Sequence, residues 1–427
     1  RPGDTMNRWA WIACALWVAA AQAQQSGRPL TLDDAWKLAE ERSASLAASL
    51  AAVSAAQASA DEAGVLLWSN PEVSAERSRR ATAVPDTGGA TVREWSAGLA
   101  QAIEIGGQRT HRLASARGAL EAATWQAEQA RRELRAEVER RFVRVVALQA
   151  RISIERDSLA LVENTADFAG RRVAAGEDSR LDGNLAIIEA ARARNQLASL
   201  GDQLLQARVE LGEVVQWPHA ALPEAVGDLE AIRLDPSLAS LLAGLPGHPL
   251  LQILRAREDA ARSRLALERA ARLPDVTLGL TVAREGAAEA REKVTTLSLS
   301  VPLPLFRNNS AGVAQAGAEL VRAEAEFRAA KRDTEAAVKA LWARARDLAS
   351  RVSTLRTTVL PALAENQRLS QRALREGEID LVQQIVVNRQ LLDGRRDLLD
   401  AMTDLRLARI ALELAAGSTT TPASGQP

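Results

Sequence analysis

The side chains that most often carry chemistry are scarce in this sequence of 427 residues. Histidine occurs only as His111, His219 and His248, and Cys14 is the single cysteine. None of them has the spacing to a second histidine or cysteine that a zinc site requires. The Gly-Gly pair at 106–107 lacks the Lys-Ser/Thr continuation of a phosphate loop, so we interpret it as a turn. We therefore predict no enzyme, no cofactor and no resident metal, and we expect the histidines to be surface or loop residues.

Carboxylates gather instead in two turns that occupy equivalent places in a repeated pattern, Ala-Gly-Glu-Asp-Ser-Arg-Leu-Asp at 175–182 and Arg-Glu-Gly-Glu-Ile-Asp-Leu at 375–381. Acidic side chains there could form rings around a pore and favour cations if several copies assemble. They could equally be helix caps and solubilising residues. The glycine of each turn permits a backbone shape that a Cβ would strain, and the following leucine could pack within the turn or meet a partner. The candidate contact residues are Gly176, Glu177, Leu181, Gly377, Glu378 and Leu381, and the candidate acidic-ring residues are Asp178, Asp182 and Asp380.

These two turns belong to an internal duplication with a spacing of 200 residues. Segment 114–142 matches segment 314–342, and the equivalence reaches 207–209 and 408–410 with one inserted residue. Such a repeat indicates two copies of one structural unit that do the same mechanical job. Among the recurring positions are Leu120 and Leu320, Arg132 and Arg332, and Val138 and Val338.

Each copy contains a pair of segments with the period-two alternation of β-strands. In the first copy, a possible strand at 71–80 is followed by one in which Trp95, Leu99 and Ile103 share a face. The second copy has alternating segments at 274–282 and 294–305. Each is about ten residues long, the length that a tilted strand needs to cross a bilayer. Half-buried strands of soluble proteins alternate as well, so the pattern predicts strands without fixing their surroundings.

The remainder of each copy predicts very long helices. Residues 31–67 read as one helix capped by Thr31, and 109–168 contain no proline and only Gly118. Apolar residues from Leu113 step by three and four, which is the heptad pattern of a supercoiled seam. Alanine at most seam positions indicates close helix spacing. Return helices should follow the two turns and end near Val215 and Ala416.

Charge and the N-terminal segment restrict the class of protein further. Lys plus Arg and Asp plus Glu both number 54, so bulk electrostatics does not favour nucleic-acid binding. From Met6 a positively charged start, an apolar run and Ala21-Gln22-Ala23 are typical of a secretory signal peptide. We expect cleavage after Ala23; a lipid-bearing role for Cys14 is the other interpretation.

Several of these features together resemble the TolC family of outer-membrane efflux proteins. They are the signal peptide, the duplicated strand pair with a long helical hairpin, Asn70-Pro71-Glu72, the junction at 101–109 and the two Gly-Glu turns. The Glu-Ile-Gly-Gly-Gln-Arg run at 104–109 resembles the heavy-metal, CzcC-like branch of that family.

The resemblance implies a mainly α fold with a transmembrane β-barrel portion. Three chains of four strands each would make a twelve-stranded barrel in outer-membrane lipid, and their helices would continue as a periplasmic α-barrel. A barrel in lipid requires several chains, because four strands cannot close a sheet and lipid does not tolerate the unpaired backbone groups of open edges. The implied assembly is a homotrimer extending from the outer membrane into the periplasm of a Gram-negative bacterium.

The implied function is a passive duct for heavy-metal cations such as cobalt, zinc, cadmium or copper. An inner-membrane pump of the resistance-nodulation-division type would supply the energy, and a periplasmic adaptor (a membrane fusion protein) would dock on the hairpin tips. The alternatives are a periplasmic coiled-coil adaptor or structural protein, and a channel for drugs rather than metals. The expected segments are a signal peptide with upstream residues at 1–23, repeats at 24–215 and 247–416, a connector at 216–246 and a disordered tail at 417–427.

Overall fold

The computed structural model describes residues 29–82, 90–177, 179–229, 237–286 and 291–417. It divides into two compact units. The sheet unit comprises Ala48–Gln129 and Pro249–Asp333, and the helical unit is drawn from Arg1–Ala47, Ala130–His248 and Thr334–Pro427. Within the described residues, no helix is both long enough and apolar enough to cross a membrane.

The elements follow one another in the order helix pair, strand pair and helical hairpin, and this order occurs twice. The strands are β1 (Glu72–Thr82), β2 (Ala90–Ile103), β3 (Val276–Glu285) and β4 (Glu292–Ser300). The helices are α1 (Leu32–Arg42), α2 (Ala44–Ala63), α3 (Gln108–Ala175), α4 (Arg180–Val215), α5 (Leu238–Gly244), α6 (Pro249–Ala270), α7 (Ser310–Thr354), α8 (Leu360–Glu376) and α9 (Leu381–Ala416), with a 3₁₀ turn at Leu245–Gly247 and a π-helical turn at Leu355–Val359.

The sheet unit is built on one four-stranded antiparallel sheet in the order β1-β2-β3-β4, so β2 and β3 join the two copies. Its register confirms the alternation expected from the sequence. Val73, Leu99, Leu280 and Leu297 lie opposite one another across the four strands and therefore share a face. The neighbouring row on the other face is small and polar, and consists of Ser74, Gly98, Thr281 and Thr296.

The long helix of the first copy is continuous, since α3 spans 68 residues. Its counterpart is interrupted by the π-helical turn Leu355–Val359, between α7 and α8. A π turn absorbs one extra residue without changing the helical phase on either side of it. The inserted residue of the second copy falls between 342 and 377, which includes this turn. Pro361 follows at the second residue of α8, where its missing N–H removes one bond from the helical ladder.

The core of the helical unit is apolar, and buried positions recur between the copies. One cluster joins α1, α3, α4 and α9 around Phe142 and Leu211, and a second joins α5, α7 and α9 around Leu405 and Leu412. Val138 and Val338, which the duplication aligns, are both completely buried. Burying aliphatic side chains of this size stabilises a fold by about 1.5–3 kcal/mol each.

Two predictions from the sequence were wrong in extent. The single helix expected over 31–67 is two helices, because Ser43 has an extended backbone that ends α1, and its Oγ accepts a hydrogen bond from the Leu46 N–H. The strand expected over 294–305 ends at Ser300, because Pro302 and Pro304 have no N–H to donate to a neighbouring strand.

Candidate functional site at the hairpin turns

The two hairpin turns have the same backbone geometry. Helix α3 is followed directly by Gly176 with φ +80°, and α8 is followed directly by Gly377 with φ +75°. The N–H of Gly176 donates to the Val173 carbonyl at 3.1 Å, and the N–H of Glu177 donates to the Arg172 carbonyl at 2.9 Å. This bond pair is the Schellman motif, in which a left-handed residue closes a helix.

The second turn repeats that pair of bonds. Gly377 donates to the Leu374 carbonyl at 3.3 Å, and Glu378 donates to the Ala373 carbonyl at 2.8 Å. No atom lies within 4 Å of a Cβ built on Gly176 or on Gly377. Backbone strain, and not lack of room, is therefore the reason for glycine at both turns.

Two of the candidate acidic residues take part in helix capping. The Ser179 Oγ accepts from the Asp182 N–H at 3.2 Å and donates to the Asp182 Oδ2 at 2.6 Å. The Asp380 Oδ1 accepts from the Gln383 N–H at 2.7 Å and starts α9. Capping was one of the two roles left open by the sequence, and it still leaves a carboxylate near the helix end. Asp178 lies outside the described residues.

The leucine of the first turn is open to solvent in the single chain. Leu181 is 77% exposed, so the alternative that it packs within its turn is wrong. Leu381 is the first residue of α9, and its side chain lies outside the part described. Glu177 is exposed and lies 3.5 Å from the Arg172 guanidinium, and Glu378 is exposed as well.

One turn into the return helices, the hairpins differ. Gly183 is buried in the first hairpin, and a Cβ there would lie only 3.0 Å from Val173 Cγ2. Its equivalent in the second hairpin is Gln384, which is 3% exposed and donates to the Asn388 Oδ1 at 3.0 Å. The Gln384 Oε1 is buried without a hydrogen-bond partner among the described residues. The sequence did not single out this residue, because polar glutamine is normally a surface residue.

Farther along α9 from the turn, an arginine ladder connects α9 to the first hairpin. We define it as three ion pairs: Arg389 with Glu189 at 2.6 Å, Arg396 with Glu155 at 2.5 Å, and Arg406 with Glu139 at 2.5 Å. Glu155 is only 2% exposed, so its pair with Arg396 is a buried ion pair. The seven-residue spacing of Arg389 and Arg396, which places both on one face of α9, was the only sign of the ladder in the sequence. The ion pairs themselves were not predicted, because the partners are more than 190 residues apart in the chain.

The environment of the arginine ladder differs from pair to pair. The hydrogen bond from Arg389 holds the pKa of Glu189 below its usual range, whereas burial raises the pKa of Glu139 despite its partner Arg406. A cavity of about 350 Å³ lies beside Glu155 and Glu189, between α3, α4 and α9. Its charged lining is already paired, so the cavity presents no free charge to a ligand.

The histidines and metal ligands give a mixed result. His248 lies in a loop, as predicted, but it is buried, and its ring nitrogen lies 3.3 Å from the Leu414 carbonyl. Burial lowers its pKa. Among the residues that the structure describes, no group of three histidine, cysteine or acidic side chains could hold a metal ion.

Comparison with known proteins defines the class to which this arrangement belongs. The chain belongs to the outer membrane efflux protein family, whose model matches residues 35–215 and 245–418. It is an outer-membrane efflux channel protein, a transport duct rather than an enzyme, and the resemblance found in the sequence is confirmed. Channels of this family are trimers that work with adaptor and pump partners.

Particular relatives agree with this class. Over 376 residues the chain is 28% identical to the cobalt-zinc-cadmium resistance protein CzcC of Cupriavidus metallidurans, covering 87% of this chain and 86% of the relative. The crystal structure of CusC has a TM-score of 0.75 at 17% identity, covering 91% of this chain and 92% of that one. The outer-membrane channel OprN has a TM-score of 0.77 at 17% identity, covering 91% and 90%. The structural likeness confirms the fold class, mainly helical with a small antiparallel sheet.

Proposed function

We propose that the chain is the outer-membrane duct of a tripartite system that exports heavy-metal cations. The observation that carries this proposal is the 28% identity to CzcC, a protein named for cobalt, zinc and cadmium resistance, over 87% of the chain. The metal ion is the transported substrate in this proposal, so the protein must provide a pore for it and does not require a metal-binding site. An inner-membrane pump of the resistance-nodulation-division type supplies the energy.

Trimerisation closes the sheet. In the single chain β1 and β4 are edge strands, and unpaired edges are not tolerated in lipid. Three copies bring β4 of one chain beside β1 of the next and give a closed barrel of twelve strands. The leucine-rich face turns to lipid and the small polar face to the lumen, because lumen-facing side chains contact water.

The division of the chain follows the duplication. We propose a signal peptide within 1–23, repeats at 24–215 and 247–416, a connector at 216–246 and a tail at 417–427. Matches of the family model to 35–215 and 245–418 support two homologous halves.

The hairpin turns are the proposed contact with a periplasmic adaptor. Two turns per chain, with the same Schellman geometry and open space around each glycine, present six similar tips in a trimer. The exposed Leu181 offers an apolar contact at the first tip, and Glu177 and Glu378 flank the glycines. An adaptor can bind each tip in the same way, because the same pair of backbone hydrogen bonds fixes the turn at every tip.

Carboxylates at the tips are the proposed entrance filter. Glu177 and Asp380 are exposed, and threefold repetition would place several such charges in a ring. Asp380→Asn separates this role from capping, because asparagine caps a helix as well as aspartate does but carries no charge. We expect Asp380→Asn with Glu177→Gln to reduce cation preference in a planar bilayer. An unchanged reversal potential would leave Asp380 with its capping role and Glu177 with its contact to Arg172.

Cargo is tested in a strain that lacks this chain but keeps its pump and adaptor. Growth and cell-associated metal are measured across cobalt, zinc, cadmium and copper, and across common drugs. The proposal predicts metal accumulation that returns to normal on complementation, with drug tolerance unchanged. Accumulation of drugs but not metals would make the chain a drug channel.

Docking is tested by placing a bulky residue at the tips. Gly176→Trp and Gly377→Trp should abolish export while the trimer still reaches the outer membrane. Gly170→Trp is the matched control, because Gly170 is also on α3 with open space around it but has no left-handed backbone. Normal export by the two tip variants would place docking elsewhere.

A further inference from the structure

Charged side chains of the four-stranded sheet are sorted by face. Steps of two along each strand from the row of Leu99 give the leucine-bearing face, which we call the outer face, and the remaining positions give the inner face. Every carboxylate of the four strands lies on the inner face, namely Glu72, Glu76, Glu94, Glu285 and Glu292. Of the strand cations, only Arg80 lies on the inner face. The outer face therefore carries positive charge alone.

The outer cations and one tryptophan form two rows at the end of the sheet away from the helices. One row crosses all four strands and consists of Arg77, Trp95, Arg284 and Lys293, and the next row pairs Arg79 with Arg93. All six side chains belong to exposed residues. We call these six residues the basic belt.

The described part of the chain does not neutralise the basic belt. None of its five cations has an ion-pair partner among the described residues. The inner Arg80, by contrast, pairs with Glu94 at 3.1 Å. Arg79 lies directly opposite Arg93, and Arg284 lies directly opposite Lys293. Like charges at opposed positions of neighbouring strands destabilise a sheet, so this arrangement favours an anion from outside the described residues.

Trimer formation leaves the basic belt uncovered. Neighbouring chains meet at the edges of β1 and β4, whereas the belt lies on a face of the sheet. Arg93, Trp95 and Arg284 belong to the two central strands, β2 and β3. Pairing β4 of one chain with β1 of the next brings two belts side by side, which increases the density of positive charge on the outer face.

The position of the basic belt along the strands agrees with a membrane surface. An outward cation is costly at the middle of a bilayer and tolerated near its surface. Arg284 lies four residues beyond Leu280 on β3, which corresponds to about 13 Å. Because the helices extend into the periplasm from the other end of the sheet, the belt lies toward the leaflet that faces the outside.

We propose that the basic belt binds the phosphates of a phosphorylated glycolipid in this outer leaflet. The proposal rests on the proposed orientation of the sheet as a barrel in the outer membrane. Arginine binds phosphate with two parallel hydrogen bonds. A strand spacing of about 4.8 Å spreads the cations over a width of about 14 Å, so a headgroup with several phosphates contacts more of them than a phospholipid with one phosphate does. The Trp95 indole offers an apolar ring face to the sugar.

Binding is measured by native mass spectrometry of the purified trimer in detergent. The probes are bisphosphorylated lipid A, monophosphorylated lipid A and phosphatidylglycerol, and we expect the affinity to fall in that order. Each removed arginine should weaken binding of bisphosphorylated lipid A roughly fivefold, so Arg77→Gln with Arg93→Gln and Arg284→Gln should weaken it on the order of a hundredfold. Arg79→Gln should weaken it as well. Its matched control is Arg80→Gln, which removes the same charge one position along β1 on the opposite face and should leave binding unchanged.

The temperature at which the trimer dissociates separates lipid binding from a purely structural role. Without glycolipid, Arg79→Gln should raise this temperature, because it removes the repulsion between Arg79 and Arg93. With bisphosphorylated lipid A, the same variant should lower it relative to the natural sequence, because a phosphate contact is lost. A shift of the same sign in both conditions would overturn the assignment of Arg79 to a lipid phosphate.

The remaining outcomes are equally decisive. Equal affinity for phosphatidylglycerol and bisphosphorylated lipid A would overturn the glycolipid as the occupant. Equal losses of binding in Arg79→Gln and Arg80→Gln would overturn the outer face as the binding surface. Either result from a trimer that conducts ions leaves the proposed duct standing, whereas a chain of natural sequence that does not trimerise would overturn both the barrel and the basic belt.

Discussion

Glu155 offers the sharpest test of how the second hairpin is held against the first. Its carboxylate accepts from Arg396 Nε at 2.7 Å, from Arg396 Nη2 at 2.5 Å and from Arg151 Nε at 3.1 Å. Glu155→Gln keeps the shape and removes the charge. Breaking a buried ion pair on one side costs about 3–5 kcal/mol. Arg396 and Arg151 are partly exposed and keep Asp393 and Asp400 as partners, so we expect the lower end, about 3 kcal/mol.

Hydrogen exchange is the suitable assay, because a large membrane oligomer has no single free energy of unfolding. A loss of about 3 kcal/mol corresponds to a population of locally open states that is more than a hundredfold larger, and to correspondingly faster exchange, in peptides covering 150–160 and 391–401. Glu365→Gln is the matched control, since Glu365 pairs with Arg368 on one exposed helix face. The double variant Glu155→Leu with Arg396→Met removes both charges and should exchange more slowly than Glu155→Gln. If Glu155→Gln exchanges no faster than Glu365→Gln, Glu155 does not hold α9 on α3.

The arginine ladder also predicts a response to acid. Because Arg389 lowers the pKa of Glu189, this pair contributes its full stability above the unfolded pKa of about 4.3. That contribution is lost as the pH falls through the lowered folded pKa. Exchange at the α4–α9 contact should therefore accelerate in this acidic range, and Glu189→Gln should abolish the acceleration. Acceleration that is unchanged in Glu189→Gln would assign it to other carboxylates.

Substitutions in a helix contact and in the sheet, and a deletion in the π turn, test three other parts of the fold. A Cβ on Gly118 would lie 2.9 Å from Ala260 Cβ, so Gly118→Ala should destabilise the local packing of α3 on α6 by about 1–3 kcal/mol and speed hydrogen exchange there. Gly317→Ala, with open space around it, should stabilise α7 by up to about 1 kcal/mol and slow its exchange. Effects of the same sign would contradict the close packing of α3 on α6. Placing an arginine on the lipid-facing side of the sheet, as in Leu299→Arg, should destabilise the barrel by about 2–4 kcal/mol. This variant should therefore reduce the yield of trimer more than Ser298→Arg, whose side chain faces the lumen. Equal yields would refute the assignment of the leucine face to lipid and the polar face to the lumen. Deleting Thr357 should leave an assembled trimer, because the π turn already holds one extra residue. Deleting one residue near the middle of α3 should prevent assembly, because it changes the helical phase. An equal loss of trimer in both deletions would show that the π turn does not serve to absorb the extra residue.

The architecture was predictable because it depends on periodic and duplicated patterns. The 200-residue repeat places equivalent elements in each half, and period-two alternation predicted that Trp95, Leu99 and Ile103 of β2 share a face. The helix cap at Asp380 was also predictable, because a cap residue acts on its immediate neighbours. Local signals of this kind require no knowledge of what lies across the fold.

Features that depend on distant packing were not predictable. Nothing in the sequence around Glu155 distinguishes it from solvated glutamates of the same helix, since its partner Arg396 is 241 positions away. Ser43 ends α1 although alanine-rich flanks favour one helix, because its side chain caps the next helix instead. The buried Gln384 was missed for the same reason, since only the packed hairpin excludes water from it.

Reconstitution of the purified chain tests the duct itself most directly. The mass of the detergent-solubilised protein and its conductance in planar bilayers are measured on one preparation, with Leu299→Arg as the assembly-deficient control. The account predicts a trimer that inserts in discrete conductance steps, prefers cations, and loses both properties in the Leu299 variant. A stable monomer, or a trimer that spans the bilayer without conducting ions, would contradict a duct formed by three copies of this chain.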